Sequence, residues 1–173
     1  MIIGREQLKQ MYPKLLEEQY QPAGIDLTVG DIKTLSYTSG VMYGLLKNAK
    51  VLPDQKDVEE KKMQVAGMLK TGYVLQPHVC YIVTTAEKIK IDKSSGQFYL
   101  PRSSLLRGGV TVDTAFGDPG FNGHLSFLIR NNNPAMFFLE KGVRFAQLIN
   151  ISAFDVDKEY NGDYNEDWCN RNH

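Results

Sequence analysis

The chain has 173 residues, and its 20 basic and 20 acidic side chains give a formal net charge of zero. A hydrophobic content of 42% with 23% charged residues is typical of one globular domain, so we predict a single domain over residues 1–173. The balanced charge argues against a general electrostatic grip on DNA or RNA. No apolar run approaches membrane-spanning length and no signal peptide is recognisable, so the expectation is a cytoplasmic protein with no membrane partner.

The N-terminal segment predicts a short amphipathic helix. In "IIGREQLKQMYPKLLEEQ" the apolar residues Leu8, Met11 and Leu15 share one stripe, and Pro13 predicts a break. The next segment, "AGIDLTVGDIKTLSY", alternates apolar and polar residues as a strand does. Residues 47–66 are charged and weakly periodic, and we interpret them as a surface excursion with some helix.

From Gly72 onward the pattern predicts short β-strands. Segments such as "YVLQPHVCYIVTTAEKIKI", "GHLSFLIRNNN" and "VRFAQLINISAFDV" are rich in β-branched and aromatic residues and are separated by Gly, Pro and Asn turns. The predicted fold is therefore mainly β, a barrel or sandwich with an N-terminal helix. Residues 155–173 are polar with spaced aromatics, and we predict a flexible C-terminal tail.

The string "PRSSLLR" is the first candidate site. Arg102 can fork onto phosphate oxygens, and Ser103 and Ser104 add hydroxyl donors. A surface turn with an ordinary salt bridge explains the same residues, because so short a string is common in proteins. The residues alone leave both interpretations open.

The string "FGDPGFNG" predicts a tight turn, because Pro fixes φ and Gly supplies positive φ. Asp118 either caps this turn or presents a rigidly held carboxylate that orients or deprotonates a water molecule. Phe121 either packs on a sugar or fills the core. The turn chemistry does not choose between these roles.

Two further polar residues lie in apolar strands. Asp26 in "AGIDLTVG" needs a partner if it is buried, and either an ion pair or a metal-linked role satisfies that need. Gln147 in "KGVRFAQLIN" is either a satisfied core amide or a donor to a ligand phosphate, and Arg144 precedes it.

Taken in order, "AGIDL", "PRSSLLR", "GDPGFNG" and "GVRFAQL" resemble the dUTPase and dCTP deaminase superfamily over about residues 22–150. The strand segment before "PRSSLLR" resembles the deaminase-like, archaeal-type branch. The resemblance implies a distorted β-barrel of the β-clip, dUTPase-like kind. It also implies a homotrimer with sites at subunit interfaces, a deoxynucleoside triphosphate substrate and Mg²⁺.

The resemblance also assigns roles to residues. It makes Asp118 the catalytic carboxylate, with Asp113 as a rival because the segment after Arg107 is short. It places Phe121 against deoxyribose and links Asp26 to magnesium through water. Tyr160 and Tyr164 of the tail would form a lid. The substrate contacts that it implies are Arg102, Ser103, Ser104, Arg107, Phe121 and Gln147.

One position separates the branches of this superfamily. The dCTP deaminases carry a catalytic glutamate five residues past the glycine that corresponds to Gly123, and this chain has Leu128 there. A leucine cannot move the proton that activates water against cytosine. The resemblance therefore implies a dUTP pyrophosphatase. The alternatives are dCTP deaminase, alone or bifunctional with dUTPase, and a non-catalytic nucleotide-binding regulatory trimer.

Overall fold

Strands dominate the fold. The structure is a computed structural model that describes residues 1–36, 42–43, 50–51, 54–162 and 165. Its helical elements are α1 (Arg5–Met11), a 3₁₀ turn (Glu17–Gln19) and α2 (Ser103–Arg107). The strands are β1 (Tyr20–Gln21), β2 (Gly24–Ser36), β3 (Met42–Tyr43), β4 (Lys50–Val51), β5 (Asp54–Asp57), β6 (Lys61–Val65), β7 (Met68–Leu75), β8 (Cys80–Lys90), β9 (Ser95–Pro101), β10 (Val110–Asp113), β11 (Asn122–Asn131), β12 (Phe137–Glu140) and β13 (Arg144–Ser152).

The largest sheet is antiparallel and curls nearly into a barrel. Its strands follow the order β10-β11-β8-β2-β13-β9, with β1 and β5 also paired to β2. The two end strands approach each other, and an antiparallel bridge between Gln97 on β9 and Gly117 just past β10 joins them. We call this bridge the seam. A smaller sheet, β12-β7-β6, lies beside the barrel.

The core is built from the alternation that the sequence predicts. Ile25, Leu27 and Val29 on β2 are 0–1% exposed. Phe127 forms edge-to-face contacts with Tyr99 and Phe145 across the barrel, with ring centroids 5.2 and 5.6 Å apart. Such aromatic pairs add to the free energy gained from burying their apolar area, so they fix the strands around the site.

The mainly β, barrel-like fold and the N-terminal helix are confirmed. The helix ends at Met11, before Pro13. The helical content expected within residues 47–66 is wrong for the described part, because β6 and β7 form a hairpin there that turns at Ala66 and Gly67. Positive φ at both turn residues matches the twist of antiparallel strands and favours the hairpin. In the described ranges, no helix is long and apolar enough to cross a membrane.

Candidate active site

A cavity of about 1020 Å³ opens beside the seam. Much of its lining comes from β2, β8 and β11, and the segment 115–118 and Phe121 line it as well. Asp118, Phe121, His124 and Tyr160 are among the residues that line this cavity. The predicted catalytic carboxylate and the predicted sugar-packing ring therefore face one space, which is large enough for a small organic ligand.

The turn that carries Asp118 is fixed from below by Ile91. The amide of Gly120 donates to the Ile91 carbonyl at 3.0 Å, and the amide of Ile91 donates to the Phe121 carbonyl at 2.8 Å. Gly120 has a φ of +92°, which L-residues rarely adopt. The "DPG" turn is therefore held by backbone contacts while the Asp118 side chain stays exposed.

The C-terminal tail packs on the same turn. The amide of Tyr160 donates to the Pro119 carbonyl at 2.7 Å, and the Tyr160 and Phe121 rings lie 6.1 Å apart. Asn165 accepts a hydrogen bond from the Asn122 amide at 2.9 Å. The structure thus brings Tyr160 to the cavity, as a lid requires, while Tyr164 lies outside the described residues.

The phosphate motif lies at the far end of β9. Arg102 precedes α2, Ser103 and Ser104 open it, and Arg107 ends it. Ser103, Ser104 and Arg107 are exposed, and Arg102 is half-buried. This arrangement leaves two hydroxyls and one guanidinium in solvent, where an anionic ligand can reach them.

Asp26 anchors the arginine of that motif. Its carboxylate is buried, and it pairs with the Arg102 guanidinium and, at 3.3 Å, with Arg144. Burial raises the pKa of Asp26, and the two guanidiniums oppose that effect. Of the two roles that the sequence left open, the structure places Asp26 in an ion-pair network.

Gln147 belongs to the same end of the molecule. It pairs on β13 with Asp26 of β2 and with Leu100 of β9. Its side chain lies across Gly24, where an added Cβ would meet the Gln147 side chain at 3.0 Å and the Leu148 carbonyl at 2.6 Å. Glycine in "AGIDL" therefore makes room for the Gln147 amide beside the arginines.

The two groups of predicted residues are separated within one chain. Arg102 follows Gln97 by five residues of extended backbone, or roughly 16 Å at about 3.3 Å per residue. Asp118 adjoins Gly117, which pairs with Gln97 at the other end of that path. None of the described residues that line the cavity belongs to the phosphate motif.

The positions of Asp113 and Leu128 distinguish the rival assignments. They face each other as cross-strand partners on β10 and β11, and neither is among the residues that line the cavity. Asp113 is exposed on a regular strand, whereas Asp118 lies in the constrained turn at the cavity. Of the two carboxylates, Asp118 is therefore the one that lines the cavity.

Sequence reasoning assigned no site role to most of the cavity lining, including Tyr99 and His124. Tyr99 lies beneath Gly117, and His124 accompanies a β-bulge in β11, with its Nδ1 2.9 Å from the Thr85 carbonyl oxygen. The alternation of β9 predicts that Tyr99 points into the barrel, but this orientation alone indicates a residue of the hydrophobic core and gives no sign of a role at the site. Its position near Asp118 results from the seam, a contact between distant segments.

Comparison with known proteins agrees with this geometry. Residues 3–151 match the family model described as dCTP deaminase-like. A protein of Methanopyrus kandleri named probable deoxyuridine 5'-triphosphate nucleotidohydrolase is 37% identical over 164 residues, which cover 95% of this chain and 99% of that one. A Methanocaldococcus jannaschii protein named deoxyuridine 5'-triphosphate nucleotidohydrolase is 33% identical, with coverage of 95% and 98%.

A solved structure shares the fold. The 2'-deoxycytidine 5'-triphosphate deaminase from Agrobacterium tumefaciens superposes with a TM-score of 0.62 at 16% identity. The match covers 86% of this chain and 47% of that one, so this chain spans about half its length. With a family match over most of its length and relatives above 30% identity, the chain belongs to the dCTP deaminase-like family.

Proposed function

We propose that the protein is a dUTP pyrophosphatase, which converts dUTP and water to dUMP and pyrophosphate. The observation that carries this proposal is the exposed Asp118, held on a turn fixed by backbone hydrogen bonds, which lines the cavity together with Phe121. The names of the Methanopyrus and Methanocaldococcus relatives support the same substrate.

In the proposed reaction, Asp118 orients a water molecule toward the α-phosphorus and accepts its proton. The water oxygen forms a bond to the α-phosphorus as the bond to the bridging oxygen breaks, and pyrophosphate leaves with that oxygen. Most of the catalytic effect in such a reaction comes from positioning and from charge stabilisation. A carboxylate on a fixed turn suits the first requirement.

The remaining predicted residues hold the substrate. Phe121 packs against the deoxyribose and leaves no room for a 2'-hydroxyl, and backbone groups of residues 112–121 read uracil. Tyr160 covers the site from the tail. The phosphate contacts are Arg102, Ser103, Ser104, Arg107 and Gln147. Charged and hydroxyl donors of this kind match phosphate oxygens, and Arg102 is oriented for them by Asp26.

The residues present do not fit a metal held by the protein alone. Over the described ranges, no group of three or more His, Cys, Asp or Glu side chains could hold a metal ion. The carboxylate of Asp26, the expected indirect ligand, is already occupied by two guanidiniums. We therefore take Mg²⁺ to enter as part of the substrate, on the triphosphate, as is common for this ion.

The separation of the two residue groups favours a homotrimer with shared sites. The triphosphate of a nucleotide held at Asp118 needs its cationic partners within a few ångströms of the α-phosphorus. In one chain the phosphate motif lies roughly 16 Å away along β9, and its guanidinium turns to Asp26. A second copy can supply the missing half, and exposed Phe98, Leu100 and Phe116 offer apolar surface for such contacts.

Deamination of dCTP has weaker support. Leu128 is an aliphatic residue on β11 that pairs with Ile82 and Asp113. It offers no group that can move a proton, and it does not line the cavity.

Product analysis tests the proposal. The protein is incubated with Mg²⁺ and, separately, with dUTP and dCTP, and the Asp118→Asn protein purified in parallel controls for contaminating hydrolases. We expect dUMP and pyrophosphate from dUTP and no change in dCTP. Release of ammonia from dCTP would overturn the assignment in favour of deamination. Tight dUTP binding without turnover would indicate a non-catalytic nucleotide-binding protein instead.

A further inference from the structure

The seam holds the backbone next to Asp118. Gln97 and Gly117 exchange both of their backbone hydrogen bonds, each 2.9 Å long. Asp118 is the next residue, so the position of its carboxylate depends on how Gly117 lies on β9. Two hydrogen bonds alone do not fix how far Gly117 lies from the barrel interior, so a further contact is needed.

Tyr99 supplies that contact from below. Its ring is 5% exposed and packs edge-to-face on Phe127, and its hydroxyl donates to Gln97 Oε1 at 2.8 Å. A Cβ added to Gly117 would lie 2.3 Å from the Tyr99 hydroxyl oxygen, much closer than real atoms approach. Gly117 has no left-handed φ, so glycine is needed here for space. The hydroxyl therefore touches the backbone of the residue before Asp118.

A buried network keeps the Tyr99 hydroxyl in place. The Gln97 amide donates to the Tyr12 hydroxyl at 2.7 Å and to Asn150 Oδ1 at 3.1 Å. The Asn150 amide donates in turn to Ser95 Oγ at 3.2 Å. These polar groups are almost completely buried, and satisfied networks of this kind make one arrangement unique. The network thus ties the seam to α1 and to β13.

We infer that Tyr99 is a positioning residue for Asp118, acting through its hydroxyl on Gln97 and on the backbone of Gly117. This inference rests on the proposed function, because it assigns Tyr99 a part in the reaction of Asp118. It gives the buried tyrosine a role beyond packing. Small displacements of a reacting group cost large factors in rate, so loss of this support lowers kcat.

The first test is Tyr99→Phe, which keeps the ring and removes the hydroxyl. We expect kcat for dUTP to fall by roughly 10-fold, with KM changed less than about twofold because Tyr99 belongs to neither predicted phosphate nor sugar contacts. Tyr81→Phe is the matched control, since its buried hydroxyl accepts a hydrogen bond from the Gln76 amide at 2.7 Å, away from the seam. It should lower the melting temperature comparably and leave kcat unchanged.

The second test uses the close approach at Gly117. Gly117→Ala should lower kcat more than Tyr99→Phe does, because its Cβ displaces the turn from the Tyr99 oxygen. The double variant Gly117→Ala, Tyr99→Phe should recover part of that loss, since the nearest clashing atom is gone and the other close contact, Ile91 Cδ1 at 2.8 Å, is the end of a flexible side chain. A double variant that is worse than either single one would contradict the inference.

Amide hydrogen exchange separates this inference from the proposed function. In Tyr99→Phe the amides of Gln97 and Gly117 should exchange at least about 10-fold faster, and in Tyr81→Phe they should not. This result does not depend on any substrate. If wild-type protein turns over dUTP but Tyr99→Phe keeps its kcat, or if seam exchange is unchanged, the inference is wrong. A wild-type protein without turnover would instead refute the proposed function.

Discussion

The turn at Asp118 and the end of β9 at Arg102 are stabilised in different ways. The turn is held by backbone hydrogen bonds from Ile91, Gln97 and Tyr160, and Asp118 is exposed to solvent. The backbone at Arg102 is also hydrogen-bonded, but its side chain is held by charge, because the guanidinium pairs with a carboxylate that is 4% exposed. One region presents an exposed carboxylate on a fixed turn, and the other presents a guanidinium held by an ion pair.

This difference suits the two tasks in the proposed reaction. A group that orients water needs an accurate position, which backbone contacts and steric fit provide. A group that binds phosphate needs a charged side chain that is already oriented before the ligand arrives. The Asp26 carboxylate orients the half-buried Arg102 in this way, and Ser103 and Ser104 stay exposed beside it. The two regions can be separated on one chain because a symmetric oligomer can place the turn of one copy beside the Arg102 region of its neighbour.

Asp118→Asn tests the first region and has the largest expected effect. It removes the proton acceptor without changing the shape of the turn, so turnover of dUTP should fall by about 10²–10⁴-fold. Binding of a non-hydrolysable dUTP analogue should stay within several-fold of wild type, because the phosphate region is intact. Steady-state kinetics and calorimetric titration measure the two quantities.

Asp113→Asn is the matched control for that experiment. Asp113 is an exposed carboxylate on β10, outside the cavity lining. Its substitution should leave turnover near the wild-type rate. If Asp113→Asn abolishes turnover while Asp118→Asn does not, the rival assignment is correct and the geometric argument for the "DPG" turn fails.

Mixing variants tests whether the two regions come from different copies. Asp118→Asn and Arg102→Ala are each expected to be nearly inactive, but co-refolding them in equal amounts should restore activity. If each site takes one region from each neighbour, random assembly gives about a quarter of the sites both intact parts. Pyrophosphate release from the mixture measures this.

The controls are each variant refolded alone and the two mixed without refolding. A mixture that remains as inactive as its components would mean that one chain supplies both regions. The proposal of shared sites would then be wrong, even if the assignment of dUTP as the substrate holds.

The sequence predicted the local parts of both regions well. The alternation in "AGIDL" predicts β2, and the turn residues "DPG" predict the turn at Asp118, because both depend on neighbouring residues. For Asp26 the sequence allowed either an ion pair or a metal-linked role, since a buried carboxylate needs a partner but its local sequence does not identify that partner. The seam between Gln97 and Gly117 and the position of Tyr99 beneath it could not be predicted, because they depend on closure of the barrel by distant segments.

The buried network beneath the seam also predicts a smaller effect, a loss of stability in alkali. Burial raises the pKa of Tyr12 and of Tyr99 above the ordinary value of 10.0, and the charge of Asp118 raises the pKa of Tyr99 further. A raised pKa means that the neutral hydroxyl favours the folded state below pH 10, and this contribution is lost as the pH rises further. Tyr12→Phe removes one such group and lowers stability at pH 7 by the lost hydrogen bond from Gln97.

The difference in free energy of unfolding between wild type and Tyr12→Phe should therefore shrink above pH 10, by about 1.4 kcal/mol per pH unit once tyrosine ionises in the unfolded chain. Urea unfolding at pH 7 and at two alkaline pH values measures this difference, and the pH 7 value is the internal control. A difference that stays constant with pH would mean that the Tyr12 hydroxyl ionises as readily in the folded protein as in the unfolded chain. The network would then admit water and could not hold Gln97 and the seam as a rigid support for Asp118.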